Sequence, residues 1–258
     1  MILQVERLAK TYAGGVEAVR DVSFAAGEGE PLGLVGESGC GKTTTLKMIN
    51  RLLEPSAGRV MIEGEDARAI DPVALRRRVG WVMQSDGLFP HFTVAENIGI
   101  TPSLLGWDRH HIASRVDELL ELVRLDPDEY RERRPRHLSG GQRQRVGLAR
   151  ALAVSPHLVL MDEPFGALDP LTRAALREDV GALRRRLGFA AVMVTHDMAE
   201  ALQLADRIAV IEAGRILQYD TPRALLSEPA GDTVARLVAA PLKDAEAVTR
   251  LKAGAGDA

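Results

Sequence analysis

Leu32-Gly33-Leu34-Val35-Gly36-Glu37-Ser38-Gly39-Cys40-Gly41-Lys42-Thr43-Thr44-Thr45-Leu46 is the stretch that decides the fold. Its first four residues are a short apolar run that reads as a buried strand. Gly36 to Thr43 fits the pattern GxxxxGK[ST], and Leu46, Ile49 and Leu53 then recur at helical spacing. Glycines let such a loop curl until its N–H groups surround phosphate oxygens, and the amino terminus of the helix adds a favourable dipole. Lys42 is then expected to reach β- and γ-phosphates and the Thr43 hydroxyl to bind Mg2+. Gly36, Glu37, Ser38, Gly39, Cys40, Gly41, Lys42, Thr43 and Thr44 are the candidate nucleotide-binding residues. The bland alternative, a structural glycine turn before a helix, has no use for Lys42 beside Thr43. Cys40 is expected to contribute a backbone amide rather than thiol chemistry.

Further apolar runs at Val79 to Met83, Leu158 to Met161 and Ala191 to Val194 also read as buried strands. A helix over Leu176, Val180, Leu183 and Leu187 precedes the last, with Asp169-Pro170 as its start and Gly188 as its stop. Alternation of this kind predicts an α/β fold whose sheet is largely parallel. From about Thr93 to Ser155 the spacing is helical throughout, so this segment is expected to be an inserted helical subdomain. A hairpin is expected at Ala213-Gly214, between Ile208 to Ile211 and Ile216 to Tyr219. The expected organisation is one domain over 1–240: a sheet core at about 1–92 and 156–220, the helical insertion at about 93–155, and a C-terminal helical segment at about 221–240. Residues 241–258, ending Ala-Gly-Ala-Gly-Asp-Ala, are expected to be a short flexible tail.

Composition bounds the function. The 258 residues suffice for a large core, and charged residues interrupt every apolar run well before the ~20 positions a membrane span requires. Met1 to Arg7 lacks the basic start and apolar stretch of a secretory signal, which points to the cytoplasm. One cysteine leaves no internal disulfide. A net charge of −3 argues against a nucleic-acid partner. Arginine clusters at Arg76 to Arg78, Arg131 to Arg136 and Arg184 to Arg186 read as solvated faces diluted by acidic neighbours, the alternative being a phosphate-binding patch.

Leu158-Val159-Leu160-Met161-Asp162-Glu163 is an apolar strand ending in two carboxylates, which alternation points in different directions. Asp162 suits a metal ligand and Glu163 a base for an attacking water; the alternative is a polar strand end capping a turn at Pro164. His196, after Ala191 to Thr195, is either structural or in contact with a γ-phosphate or the water. Gln84, after Val79 to Met83, is equally open between a structural role and contact with Mg2+ or the water. Leu138-Ser139-Gly140-Gly141-Gln142 opens another helix, where Ser139 can cap and the glycines permit close approach of an anion.

The loop at Gly36 to Thr43, LSGGQ at Leu138 to Gln142, the Asp162-Glu163 pair, Ala167-Leu168-Asp169 and His196 stand in the order and approximate spacing of the ABC transporter ATPases, which this chain resembles over residues 1 to about 220. The resemblance implies a P-loop NTPase core and ATP hydrolysis with Mg2+. It also implies that Tyr12 stacks on adenine, that Gln84 senses nucleotide and joins Thr43 and Asp162 at the metal, and that His196 is the switch at the γ-phosphate. Leu138, Ser139, Gly140, Gly141 and Gln142 become the signature that contacts ATP held by a second ATPase subunit, expected to be an identical copy. Asp169 becomes the link between the two sites. Transmembrane permease subunits are implied as partners, with Ser85 to Phe92 forming a groove for one of their cytoplasmic helices; an extracytoplasmic solute-binding protein completes the complex. The chain would then sit peripherally on the cytoplasmic face of the membrane.

Thr43 to Pro55, Gly87 to Phe92 and Met161 to Pro170 together resemble the bacterial quaternary-amine importers, implying glycine betaine, choline, carnitine or proline betaine as the solute. Some members of that group append paired CBS domains, for which 241–258 is too short. The alternatives are an importer of another small solute such as an amino acid, an ABC ATPase serving a soluble process, and a silent nucleotide-binding regulator. Co-purification with an integral membrane protein separates the second of these from transport, and ATP turnover separates the third.

Overall fold

The computed structural model describes residues 1–84 and 87–254. Among the described residues are ten strands: β1 (Leu3–Thr11), β2 (Glu17–Ala26), β3 (Pro31–Val35), β4 (Ala57–Ile62), β5 (Glu65–Asp66), β6 (Val79–Val82), β7 (Leu158–Asp162), β8 (Ala190–Thr195), β9 (Arg207–Glu212) and β10 (Arg215–Asp220). They form two sheets. One is antiparallel, ordered β2-β1-β4-β5; the other has six strands ordered β10-β9-β3-β8-β7-β6 and is parallel except for β10.

Every residue of β3, β7 and β8 is buried, as expected of parallel strands covered on both faces. Alternation then decides which layer each side chain joins. Leu158 and Leu160 of β7 pack with helix α1 (Lys42–Ile49) and the antiparallel sheet. Val159 and Met161 face the opposite way, toward α3 (Val94–Leu104), α4 (Arg109–Leu122), α6 (Gly140–Ala151) and α7 (Pro170–Leu187). A third cluster packs Val35, Ile208 and Val210 under α8 (Met198–Leu204), α9 (Pro222–Ser227) and α10 (Asp232–Gly254). The short helices α2 (Pro72–Arg78) and α5 (Pro127–Tyr130) complete the set.

Helix α7 begins and ends where its punctuation requires. The Asp169 carboxylate accepts the Thr172 N–H at 3.0 Å, Pro170 occupies the first turn, and Gly188 stops the helix at φ +72°. The β9–β10 hairpin turns at Ala213 and Gly214. Between Thr93 and Ser155 the described elements are helical only, in agreement with the spacing.

Three readings are corrected. The N-terminal antiparallel sheet has no counterpart among the strands read from apolar runs: β1 and β2 carry bulges at Arg7 (φ +45°) and Asp21 (φ +55°), which put buried residues three apart, at Val5 and Leu8 and at Val19 and Val22. Helix α1 ends at Ile49, so Leu53 meets the core from beyond the helix and not on its face. The tail expected from residue 241 is, as far as Gly254, the continuation of α10 through Pro241. Proline removes one N–H, while the following Leu, Lys, Ala and Glu are good helix formers that carry the helix onward. Residues 255–258 lie outside the described residues.

Candidate active site

Strand order brings the motifs together. Moving across the parallel sheet, β3, β8, β7 and β6 are neighbours, and their carboxyl ends lead into Gly36, His196, Glu163 and the Met83-Gln84 segment respectively. The edge at which parallel sheets bind ligands therefore carries every one of these motifs.

The loop after β3 is shaped by glycines at positions where no other residue fits. A Cβ at Gly36 would lie 2.1 Å from the Ile211 carbonyl oxygen. Gly41, at φ +105°, would place one 2.3 Å from that of Ala18. The Gly214 N–H donates to the Cys40 carbonyl at 3.1 Å, so the β9–β10 turn braces the loop from outside. Cys40 is buried with Sγ 3.8 Å from Lys42 Nζ, and its N–H donates to the Glu37 carbonyl. The buried Lys42 ammonium donates to the carbonyls of Gly36 at 2.6 Å and Glu37 at 2.9 Å, which holds a positive charge inside the loop. Tyr12 stands 41% exposed beside this loop, its hydroxyl 3.4 Å from Thr44 Oγ1.

Thr43 Oγ1 donates to Asp162 Oδ1 at 2.8 Å and so joins the loop to the end of β7. Burial pushes the Asp162 carboxyl above its usual range against the pull of the Thr43 hydrogen bond, and the neighbouring Glu163 charge pushes the same way. A carboxylate held at such a cost, beside a hydroxyl and near Lys42, suits a bound cation. Glu163 adopts φ +45°, donates its N–H to the Val194 carbonyl at 2.9 Å, and receives His196 Nδ1 on Oε2 at 2.9 Å. The adjacent carboxylates thus serve different partners, Thr43 for one and His196 for the other. Gln84 is exposed two residues past the end of β6, and Ser85 and Asp86 lie outside the described residues.

Residues 138–142 form a separate unit. Ser139 caps α6 by accepting the Gln142 N–H at 3.2 Å, while the Gln142 side chain accepts the Ser139 N–H at 2.8 Å and donates to the Tyr130 hydroxyl at 2.9 Å. Leu138 is buried and accepts from Arg143 at 2.8 Å; Ser139 and Gly140 are exposed. A Cβ at Gly141 would approach Thr172 Cγ2 to 2.4 Å, so glycine is what permits α6 to touch the first turn of α7. The structure brings the signature residues to the helix that Asp169 caps, and the hydrogen bonds of Ser139 and Gln142 do not reach residues 36–44.

Two residues escaped the sequence reading. Thr195 Oγ1 donates to the buried Glu200 at 2.7 Å and accepts the Asp197 N–H at 3.0 Å, fixing the backbone on either side of His196. Burial raises the Glu200 pKa. The available signal was an acid on the inner face of a helix directly after a strand end. The arginine clusters are largely exposed, as read, and at least one residue of each also makes a structural contact: Arg76 donates to the Asn50 and Arg51 carbonyls, Arg133 pairs with Glu129 at 2.6 Å, and Arg184 donates to the Gly29 carbonyl.

Fold and site together define a phosphate-loop nucleotide-binding protein. The chain belongs to the ABC transporter family, whose model matches residues 19–166. It is 51% identical over 237 residues to the glycine betaine/carnitine/choline transport ATP-binding protein OpuCA of Bacillus subtilis (strain 168), covering 92% of this chain and 62% of that protein. It is 47% identical over 233 residues to the glycine betaine uptake system ATP-binding protein YehX of Escherichia coli (strain K12), covering 90% and 75%. The fold is similar, at a TM-score of 0.76 and 32% identity, to a dimeric post-hydrolysis state of the ATP-binding cassette MJ0796 bound to ADP and Pi, covering 86% of this chain and 99% of that one. The chain thus spans about 62% of the length of OpuCA.

Proposed function

We propose that the chain is the ATP-hydrolysing motor subunit of an importer for glycine betaine- or choline-type osmoprotectants, acting as a dimer beneath separate transmembrane permease subunits on the cytoplasmic face of the membrane. The observation that carries this is the chain of contacts at the sheet edge: Lys42 and Thr43 on the loop, Thr43 on Asp162, and Glu163 on His196. The similarity to OpuCA and YehX supports the substrate class. In this reading the solute reaches the permease through an extracytoplasmic binding protein in the complete system.

In this reading Lys42 exchanges its carbonyl partners for β- and γ-phosphate oxygens, the N–H groups of 36–44 surround the phosphates, and Tyr12 stacks on the base. Thr43 and Asp162, with Gln84, would hold Mg2+, which would supply positive charge to the phosphate oxygens. Glu163 accepts a proton from the attacking water as the oxygen bonds to the γ-phosphorus and the β–γ bridge bond breaks. His196 orients that carboxylate and meets the γ-phosphate. Ser139 to Gln142 cover the ATP of the partner copy, and Asp169 links the two sites. Their attachment to α6 and α7, away from the phosphate loop, supports this division of labour. ATP then binds the closed dimer better than the open pair and drives closure.

The permease helix enters a cavity of about 340 Å3 lined by Trp81, Met83, Phe89, Ile100 and Leu104. Phe89 and Met83 are each 42% exposed there. The test is reconstitution with permease subunits in liposomes. ATP-dependent uptake of labelled glycine betaine, choline or carnitine is expected, with uptake lost in Glu163→Gln; ATP turnover without uptake of any of the three would refute the assigned substrate class.

A further inference from the structure

We infer that Asp179 is a positioning residue for the signature segment, holding α6 at a fixed angle to α7. This rests on reading residues 138–142 as half of a composite ATP site. Asp179 lies on α7, and its side chain is 2% exposed. Arg124, just past the end of α4, approaches Oδ1 at 2.9 Å, and Arg145 of α6 approaches Oδ2 at 2.6 Å. Neither oxygen receives a well-directed hydrogen bond, so the attachment is chiefly charge on charge. Arg145 also donates to the Val123 carbonyl at 2.7 Å, tying α6 to the end of α4. Arg124 itself is held at φ +58°, a backbone conformation that non-glycine residues seldom adopt.

The surroundings explain why one carboxylate can have this effect. Leu176, Val180 and Leu183 of α7 share an apolar cluster with Val116, Leu119 and Val146 of the helical segment. Apolar contact is non-directional and lets one layer slide on another. A buried carboxylate between two guanidinium groups does not slide, because displacement leaves charge unpaired in a poorly solvated place. Arg145 lies three residues beyond Gln142, and Asp179 lies on the helix that Asp169 caps. The ion triad therefore couples the helix of the signature segment to the helix that Asp169 caps, and its ion pairs do not involve loop 36–44.

The test uses the full chain with Glu163→Gln, which retains ATP, and reads nucleotide affinity and ATP-dependent dimerisation separately. Asp179→Asn in that background should leave protomer ATP affinity unchanged yet demand about tenfold more ATP for dimerisation. Asp179→Glu should recover most of the loss. Dimerisation of the Asp179→Asn chain at the ATP concentration that suffices for Glu163→Gln alone would overturn the proposal. So would equal losses of ATP affinity, thermal stability and dimerisation without recovery in Asp179→Glu, which is the signature of a general stabiliser. Glu163→Gln alone remaining monomeric with ATP and Mg2+ would instead remove the composite-site reading, and the assignment of Asp179 with it.

Discussion

At Asp162 the needs of folding and of the proposed metal site oppose each other. Its carboxyl is buried, and that burial pushes its pKa above the ordinary carboxylate value, so between those two values the folded chain binds more proton than the unfolded chain. Stability from this group is therefore greatest below the ordinary range and declines as pH climbs through the interval up to the raised value. Asp162→Asn should remove that slope and raise the melting temperature of the nucleotide-free chain near neutral pH, while abolishing Mg2+-dependent ATP turnover; a calorimetric pH series with a turnover assay checks both. On the proposed assignment Glu163→Gln removes only the base, so turnover should fall roughly 10²- to 10⁴-fold with nucleotide binding retained, as measured by phosphate release and equilibrium titration. Local chemistry of this kind is legible in sequence: loop 36–43, the Asp162-Glu163 pair and residues 138–142 are each contiguous, and their spacing carries their meaning. Asp179 was not legible, because a lone acid on a helix looks solvated until residues far along the chain are seen to bury it.

Among the elements, the contact of α6 with α7 depends on a missing side chain. Gly141→Ala would drive a methyl group into Thr172 Cγ2, and either the helices part or the cap at Ser139 distorts. The substitution is expected to destabilise the chain by about 1–3 kcal/mol, as overpacked interiors commonly do. Thr172→Ser deletes the offending methyl and should restore most of the loss, which denaturant titration of the single and double variants would reveal. Leu119, fully buried on α4, should cost about 2–5 kcal/mol on truncation to alanine by the same assay. The parallel strands and capped helices were readable because burial on both faces and end residues mark them locally. Bulges at Arg7 and Asp21 hid the antiparallel sheet by breaking the two-residue period, and Pro241 concealed a helix that continues past it.

For the molecule as a whole, the sheet edge presents loop 36–44, Asp162, Glu163 and His196, the groups proposed to bind phosphate and activate water, while residues 138–142 stand at the start of α6 with their own capping network. A second copy would complete each site. The most direct measurement pairs a tagged Lys42→Ala chain with an untagged chain of the original sequence in one assembled complex and adds ATP bearing a photoreactive group on its γ-phosphate. The tagged chain cannot hold nucleotide through its own loop, so the account predicts that label appears within its residues 138–142. Label confined to the untagged chain, with Ser139 of the tagged chain unmodified, would contradict the shared site.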